Sequence, residues 1–473
     1  MIYLNFDKTK KRSYVTQIYS AMREKILLGE LLAGEALPSS RELCQNLSVA
    51  RNTVLSAYDM LVAEGVVYSV AGSGFYVSPS VHSTVKIVPI KNQQTASLTD
   101  LVITDDIINY DSGLPAISLF PRAKWNRAVS RVFLEAPISA LGYDDPQGRP
   151  ELREVLCDYL KKTRGIACSP QQIIITSGAK QGLSLVAKCL LSSKSEVWIE
   201  DPSNFNVKQI FSYHTDNIIP FEVDQQGIRP EQFPSEEKPD LIFVTPSHQF
   251  PMGGILPFKR RIALVEFARK TGAYILEDEY DSIFTYDSPP VNSLFELDSE
   301  HVIYVGTFSK VMFPSIRLGY LVVPEQLVSK IRELKRLADH HSNSIYQLAL
   351  MHFIESGELE RHIRHMKKEY RKRHDILLEK MDAMFGEMIQ IHGAEAGMHV
   401  IVEFDKAIFS EEMINQLFQA GVYVVPVERH TIQKGNHKNQ IIMGYTGMEI
   451  ESLLRGLEVI KNIIIEYIPE MDI

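Results

Sequence analysis

The chain has 473 residues, 45% of them apolar and 23% charged, which accommodates a large domain plus a smaller one and includes no apolar run long enough to span a bilayer. The net charge of −9 is divided unevenly: residues 1–80 carry +1 and the remainder −10, so any affinity for a polyanion has to reside in the first part of the chain. The opening MIYLNFDKTKKR lacks the pattern of a secretory signal, and Cys44, Cys157, Cys168 and Cys189 form neither a CxxC pair nor a metal-ligand spacing, so reduced thiols in a cytoplasm and no metal are expected.

Apolar residues at Val15, Ile18, Met22 and Ile26 predict a first helix. Ser39-Ser40-Arg41-Glu42, behind Pro38, fits a capping box that opens a second helix. SVARNTVLSAYDMLVAEG predicts a third, with Ser48 as N-cap, Gly65 as stop, and Val54, Ala57, Tyr58 and Leu61 facing inward. VVYSVAGSGFYV predicts two short strands around a Gly-Ser-Gly turn. Three helices and a hairpin in this order make a winged helix-turn-helix over residues 1–78. Such a module enters the major groove of DNA by the start of its third helix, where Arg51, Asn52 and Thr53 supply donors. Arg41 is placed to touch phosphate, and Gly72 and Gly74 allow the wing a close approach to the DNA backbone. On spacing alone, the same pattern also fits a small helical packing domain with surface arginines.

Residues 79–105, rich in Ser, Thr, Gln and Pro, are expected to be a linker. Beyond them, β-branched runs at 173–176, 196–200, 241–245, 274–278, 302–306 and 320–323 alternate with helix-length segments, the pattern of an α/β domain with a mostly parallel sheet over residues 106–473.

In GTFSKVMFPSIRLGY, Lys310 stands among apolar and small residues, a setting that lowers an amine's proton affinity and makes it a nucleophile able to form a Schiff base with an aldehyde. Were the aldehyde pyridoxal phosphate, an acid for the pyridine nitrogen, a donor for the phenolic oxygen and a phosphate cradle would be needed. YILEDEYDSIF brings Asp278 and Tyr280 to a strand end, and IIITSGAKQGL runs a strand through Ser177, Gly178 and Ala179 into a helix start. Arg317 adds a bidentate phosphate contact. Each piece alone is commonplace; their order along one domain is the signal.

PSSRELCQNLSVARNTVLSAYDMLVAEG and the following GSGFYV resemble the GntR-type winged helix, which implies DNA contacts at Arg41, Arg51, Thr53 and Gly74. Residues 108–465 resemble fold type I pyridoxal phosphate enzymes, the aspartate aminotransferase superfamily. That resemblance implies Lys310 as the Schiff-base lysine, Asp278 on the pyridine nitrogen and Tyr280 on the phenolic oxygen. It implies a phosphate held by Ser177, Gly178, Ala179, Ser309 and Arg317, and Phe205 stacked on the ring. His248 and Gln249 replace the asparagine usual before Pro-x-Gly; Tyr143 resembles the tyrosine that reaches a neighbouring subunit's cofactor, and Arg429 the arginine that binds a substrate carboxylate.

Together the two halves resemble the MocR/GabR family of bacterial transcription regulators. This implies a domain-swapped homodimer on operator DNA that senses pyridoxal phosphate or an amino compound; a genuine aminotransferase with an accessory N-terminal domain is the alternative. Relatives that sense γ-aminobutyrate carry tyrosine and arginine where this chain has Phe205 and Val207, so that ligand is not the expected one.

Overall fold

The structure, a computed structural model, describes residues 13–81, 106–286 and 291–467, so all but the first three residues of the expected linker lie outside it. The chain forms two compact units, 1–101 and 102–473.

In the first unit, α1 (Tyr14–Leu27), α2 (Ser40–Leu47) and α3 (Arg51–Glu64) precede an antiparallel pair, β1 (Val67–Val70) and β2 (Gly74–Val77). Ser13 caps α1 through the N–H of Thr16, and Ser39 caps α2 through that of Glu42 at 3.1 Å. Ile18, Met22 and Ile26 of α1 close on Val54, Ala57, Tyr58 and Leu61 of α3, all buried. The expected N-cap of α3 is corrected. Ser48 is the left-handed C-cap residue of α2, φ 52°, and Ala50 precedes α3 with no side-chain cap. The tight turn between the helices uses Ser48 to end one of them, which leaves the first N–H groups of α3 without a capping oxygen. Gly65 ends α3 as expected, also in the left-handed region.

The second unit is built on a seven-stranded sheet: β3 (Ile173–Thr176), β4 (Val197–Asp201), β5 (Ile218–Glu222), β6 (Leu241–Val244), β7 (Tyr274–Glu279), β8 (Val302–Thr307) and β9 (Gly319–Val322). Its spatial order is β3-β9-β8-β7-β6-β4-β5. Successive residues divide between two cores: Ile173 and Ile175 join one and Ile174 the other, while Tyr304 and Val305 split likewise. Both faces are therefore buried, which is why these strands read as unbroken apolar runs. Edge strand β5, IIPFE, escapes that pattern because it is half-exposed and contains Pro220. Strand β9 is antiparallel to both neighbours, since the β8–β9 connection has no crossover helix; Lys310 lies in that connection.

Helices α4 (Arg122–Glu135), α5 (Pro150–Arg164), α6 (Ala179–Leu190), α7 (Phe205–Ser212), α8 (Phe258–Thr271), α9 (Glu325–Asp339) and α10 (Ser344–Glu355) accompany the sheet. The long α11 (Glu358–Phe385) leads to a second, antiparallel sheet of β10 (Ile389–His392), β11 (His399–Phe404), β12 (Val425–Pro426) and β13 (Gln440–Gly444), completed by α12 (Glu411–Gln419) and α13 (Ile450–Tyr467). No helix among the described residues is long and apolar enough to cross a membrane.

Candidate cofactor pocket and DNA-facing surface

The carboxyl ends of β3, β6, β7 and β8 deliver the singled-out residues to one side of the sheet, where α/β folds hold ligands. Lys310 donates from Nζ to the carbonyl of Gly113 at 2.6 Å. Gly113 has φ 76°, and a Cβ there would lie 2.4 Å from Nζ, so only glycine lets this loop close over the lysine. Burial lowers the proton affinity of Lys310, opposed by the charges of Asp281, Asp111 and Asp278. Asp278 is pushed up to about 7, first by burial and then by Glu279, with Lys310 pulling the other way. Its Oδ1 is buried with no hydrogen-bond partner, a costly state for a carboxylate unless a donor arrives.

The Tyr280 hydroxyl lies 3.0 Å from His248 Nδ1 and donates to the His248 carbonyl at 3.1 Å. Asp281 sits behind the imidazole, both carboxylate oxygens 3.1 Å from Nδ1. Burial, the largest influence, opposes protonation of His248, but the Asp281 charge and hydrogen bond, the Gly393 backbone and the Glu279 charge together raise its proton affinity above normal. Directly before Pro251 stands Phe250. The Gln249 amide is committed to protein groups: it donates to Pro202 and Phe250 carbonyls at 2.9 and 2.7 Å and accepts from the Met252 N–H at 3.0 Å.

At the start of α6, Gly178 is the cap residue, φ 91°, and no side chain caps the helix. Arg317, in the left-handed region at φ 51°, donates from Nη2 to the Ser177 carbonyl at 2.5 Å. A Cβ on Gly178 would fall 3.1 Å from Arg317 Nη1, so this glycine makes room for the guanidinium. Ser177 Oγ reaches Asp339 at 3.1 Å, and the Ser309 N–H donates to Thr307 Oγ1 at 3.2 Å. Uncapped helix N–H groups beside an arginine are able to hold an anion.

Phe205 opens α7, half-buried, its N–H donating to His430 Nδ1 at 3.3 Å. Arg429 is exposed, bonded to the Tyr423 hydroxyl at 3.1 Å, and its charge acts on Asp111, as does that of Lys310. Tyr143 is 87% exposed and packs near His340, outside this cluster. Sequence reasoning missed Asp111, Gly113 and Asp281; the only local signal for the first two was a Gly-Leu-Pro turn just after the linker.

In the winged unit, Arg41, Arg51, Asn52 and Gly74 are exposed and Thr53 is half-buried. Arg51 Nε donates to Ser40 Oγ at 3.0 Å, tying the starts of α2 and α3 together. Tyr58 donates to the Pro38 carbonyl at 2.9 Å and fixes α3 against the approach to α2.

A winged helix on the same chain as an aminotransferase-type α/β domain defines a class: helix-turn-helix proteins with an aminotransferase-like second domain. The description "Bacterial regulatory proteins, gntR family" matches residues 15–77, and "Aminotransferase class I and II" matches residues 106–457. The probable rhizopine catabolism regulatory protein MocR of Rhizobium meliloti is 30% identical, covering 94% of this chain and 92% of its own. The pyridoxine biosynthesis transcriptional regulator PdxR of Corynebacterium glutamicum is also 30% identical, covering 94% of each chain. Among solved structures, the kynurenine aminotransferase of Pyrococcus horikoshii, in complex with PMP, superposes with a TM-score of 0.73 at 27% identity, over 79% of this chain and 96% of that one. The chain belongs to the MocR/GabR family of helix-turn-helix transcriptional regulators with an aminotransferase-like domain.

Proposed function

We propose that this chain is a cytoplasmic transcription regulator that binds pyridoxal 5'-phosphate at Lys310 and couples the state of that site, set by the cofactor or by an amino compound reaching it, to operator binding. The observation that carries the reading is the convergence of uncompensated groups in one pocket: the orphaned Asp278 Oδ1, the carbonyl-bound Lys310 and the uncapped start of α6 beside Arg317. When bound, pyridoxal phosphate supplies an aldehyde for covalent attachment to an amine, on a ring that withdraws electrons.

The residues match that group by chemistry. Lys310, its proton affinity lowered by burial, is the attachment point. Asp278 accepts a hydrogen bond from a ring N–H, which removes the cost of its buried oxygen and favours its anion. Tyr280 donates to the phenolic oxygen, with His248 oriented by Asp281 as its neighbour and Gln249 holding the loop. Ser177, Gly178, Ala179, Ser309 and Arg317 hold the phosphate, Phe205 covers the ring, and Arg429 binds a ligand carboxylate. Phe133, Leu134, Ile138 and Leu141 are exposed apolar residues, 63 to 88%, next to Tyr143, which supports a homodimer in which Tyr143 serves the second copy. The bare N-terminus of α3, with Arg51, Asn52 and Thr53, faces DNA, assisted by Arg41 and the wing at Gly74.

Purified protein incubated with pyridoxal phosphate and reduced with borohydride is expected to carry the label on Lys310, and DNA titrations with and without cofactor to differ. Failure to take up any cofactor overturns the reading. The grouping of Lys310, Asp278 and Tyr280 also favours, as second reading, an aminotransferase. Sustained turnover at about 1 s⁻¹ or faster with no DNA binding in any condition establishes that instead; slow reaction without sustained turnover is expected.

A further inference from the structure

Helices α5 and α11 border a cavity of about 540 Å³, distinct from the Lys310 pocket. Val155, Tyr159 and Thr163 recur at fourfold spacing on α5, as do Ile363 and Lys367 on α11, so each helix turns one face to it. Its size falls in the range of roughly 300–1,000 Å³ typical of small-molecule sites.

Of the charged residues that line this cavity, Asp158, Lys162, Glu355, Glu360 and Arg364 are exposed, whereas Arg164 and Lys367 are drawn inward along its apolar wall. Arg164, the last residue of α5, is 8% exposed, and among the described residues its guanidinium makes one hydrogen bond, to the Ser282 carbonyl at 3.4 Å. Lys367 is half-buried with no hydrogen bond or ion pair among the described residues. Burial and then the Arg164 charge lower its proton affinity. Burial opposes the Arg164 charge, but the fields of Tyr304, Glu279, Tyr159 and Tyr320 together raise its proton affinity; both Glu279 oxygens are buried without hydrogen bonds, so Glu279 is not a hydrogen-bond partner. At the rim, by contrast, Lys162 pairs with Glu360 at 3.2 Å. The inward ammonium of Lys367, beside apolar surface and the Arg164 charge, is the group an incoming anion would compensate.

We propose that this cavity binds a small amphipathic carboxylate, its anionic head between Lys367 and Arg164 and its aliphatic or aryl body against Tyr159, Ile354, Leu359 and Ile363. Tyr159, Arg164 and Ile283 also line a cavity of about 30 Å³ shared with Glu279, Tyr280 and Val311, so an occupant abuts the strand end that carries Asp278 and the segment that carries Lys310. Bias of the cofactor site by that occupant rests on the reading above; the binding itself does not.

Calorimetry on the full-length protein with octanoate, 3-phenylpropanoate and the uncharged octanamide tests it. At least one carboxylate is expected to bind saturably, the amide at least about tenfold more weakly. Lys367→Met is expected to weaken the carboxylate about tenfold or more with an unchanged melting temperature, Lys367→Arg to retain it, and Ile363→Trp to abolish it. Absence of binding by both carboxylates, equal binding of the amide, or unaltered affinity in Lys367→Met overturns the proposal. So does a change of oligomeric mass in Ile363→Trp, which would mark the groove as a contact between copies. Carboxylate binding by a protein that takes up no pyridoxal phosphate leaves this site standing and removes only the cofactor reading.

Discussion

In the proposed function Arg51 and Lys310 both take a partner from outside the chain, yet they are prepared in opposite ways. Arg51 is exposed, held by one hydrogen bond to Ser40, on a small unit whose buried Tyr58 is paired with the Pro38 carbonyl and whose surface ties Tyr19 and Arg23 to Glu64 at 2.7 and 2.6 Å. Lys310 is drawn from water among Asp111, Asp278 and Asp281, and the pocket around it retains a buried carboxylate oxygen with no donor. A surface reader needs a rigid platform and a field; a covalent pocket needs groups whose ionisation is displaced until the ligand compensates them. Substitutions in the two regions should therefore separate cleanly.

The largest effect is expected from Lys310→Ala, which should lose all borohydride-fixed cofactor while remaining folded and able to bind DNA. Next, Asp278→Asn removes a charged hydrogen-bond acceptor, so cofactor affinity should fall by about 1.5–3 kcal/mol in an absorbance titration. The same variant has a pH signature. Asp278 and Glu200 are pushed up to about 7 and Glu277 to about 8, in each case by burial first. The folded state then holds these protons more tightly than the unfolded chain, so their contribution is fully present below the ordinary carboxylate range and is lost as pH rises through about 7 to 8. The melting temperature of cofactor-free protein should fall across that window, and Asp278→Asn should reduce the fall; an unchanged slope would remove Asp278 as a source.

On the other side of the comparison, Arg51→Ala should weaken operator binding by about 1–3 kcal/mol if its contact is bidentate, with cofactor absorbance untouched. A gel-shift series reads this directly. The smallest effect is expected for Tyr58→Phe, which removes the donor to the half-buried Pro38 carbonyl and should cost the winged unit about 0.5–1.5 kcal/mol in denaturant unfolding, leaving the large unit's transition in place.

The winged helix was legible almost residue by residue, because its helices are short, amphipathic and locally capped: Ile18, Met22, Val54 and Leu61 face inward as their spacing requires. Only the Ala50 cap departed, where a tight turn took Ser48 into the left-handed region instead. Six strands of the large sheet were visible as apolar runs, whereas edge strand β5 and the antiparallel sheet after α11 were not. Half-exposed or short strands carry too weak a pattern to separate from helix or loop.

Local sequence by itself determined the two units, the strand ends that carry Asp278 and Lys310, and the exposed arginines, since each follows from periodicity or from position relative to an element's end. Only the tertiary structure decided that Gly113 and Asp111, far from Lys310 in the chain, meet it, that Arg429 also acts on Asp111, that His248 hydrogen-bonds with Tyr280 while Phe250 beside Pro251 packs on the Tyr280 ring, and that Arg164 and Lys367 share one cavity. Burial and long-range charge depend on which segments the sheet and its flanking helices bring together, and no local spacing encodes that.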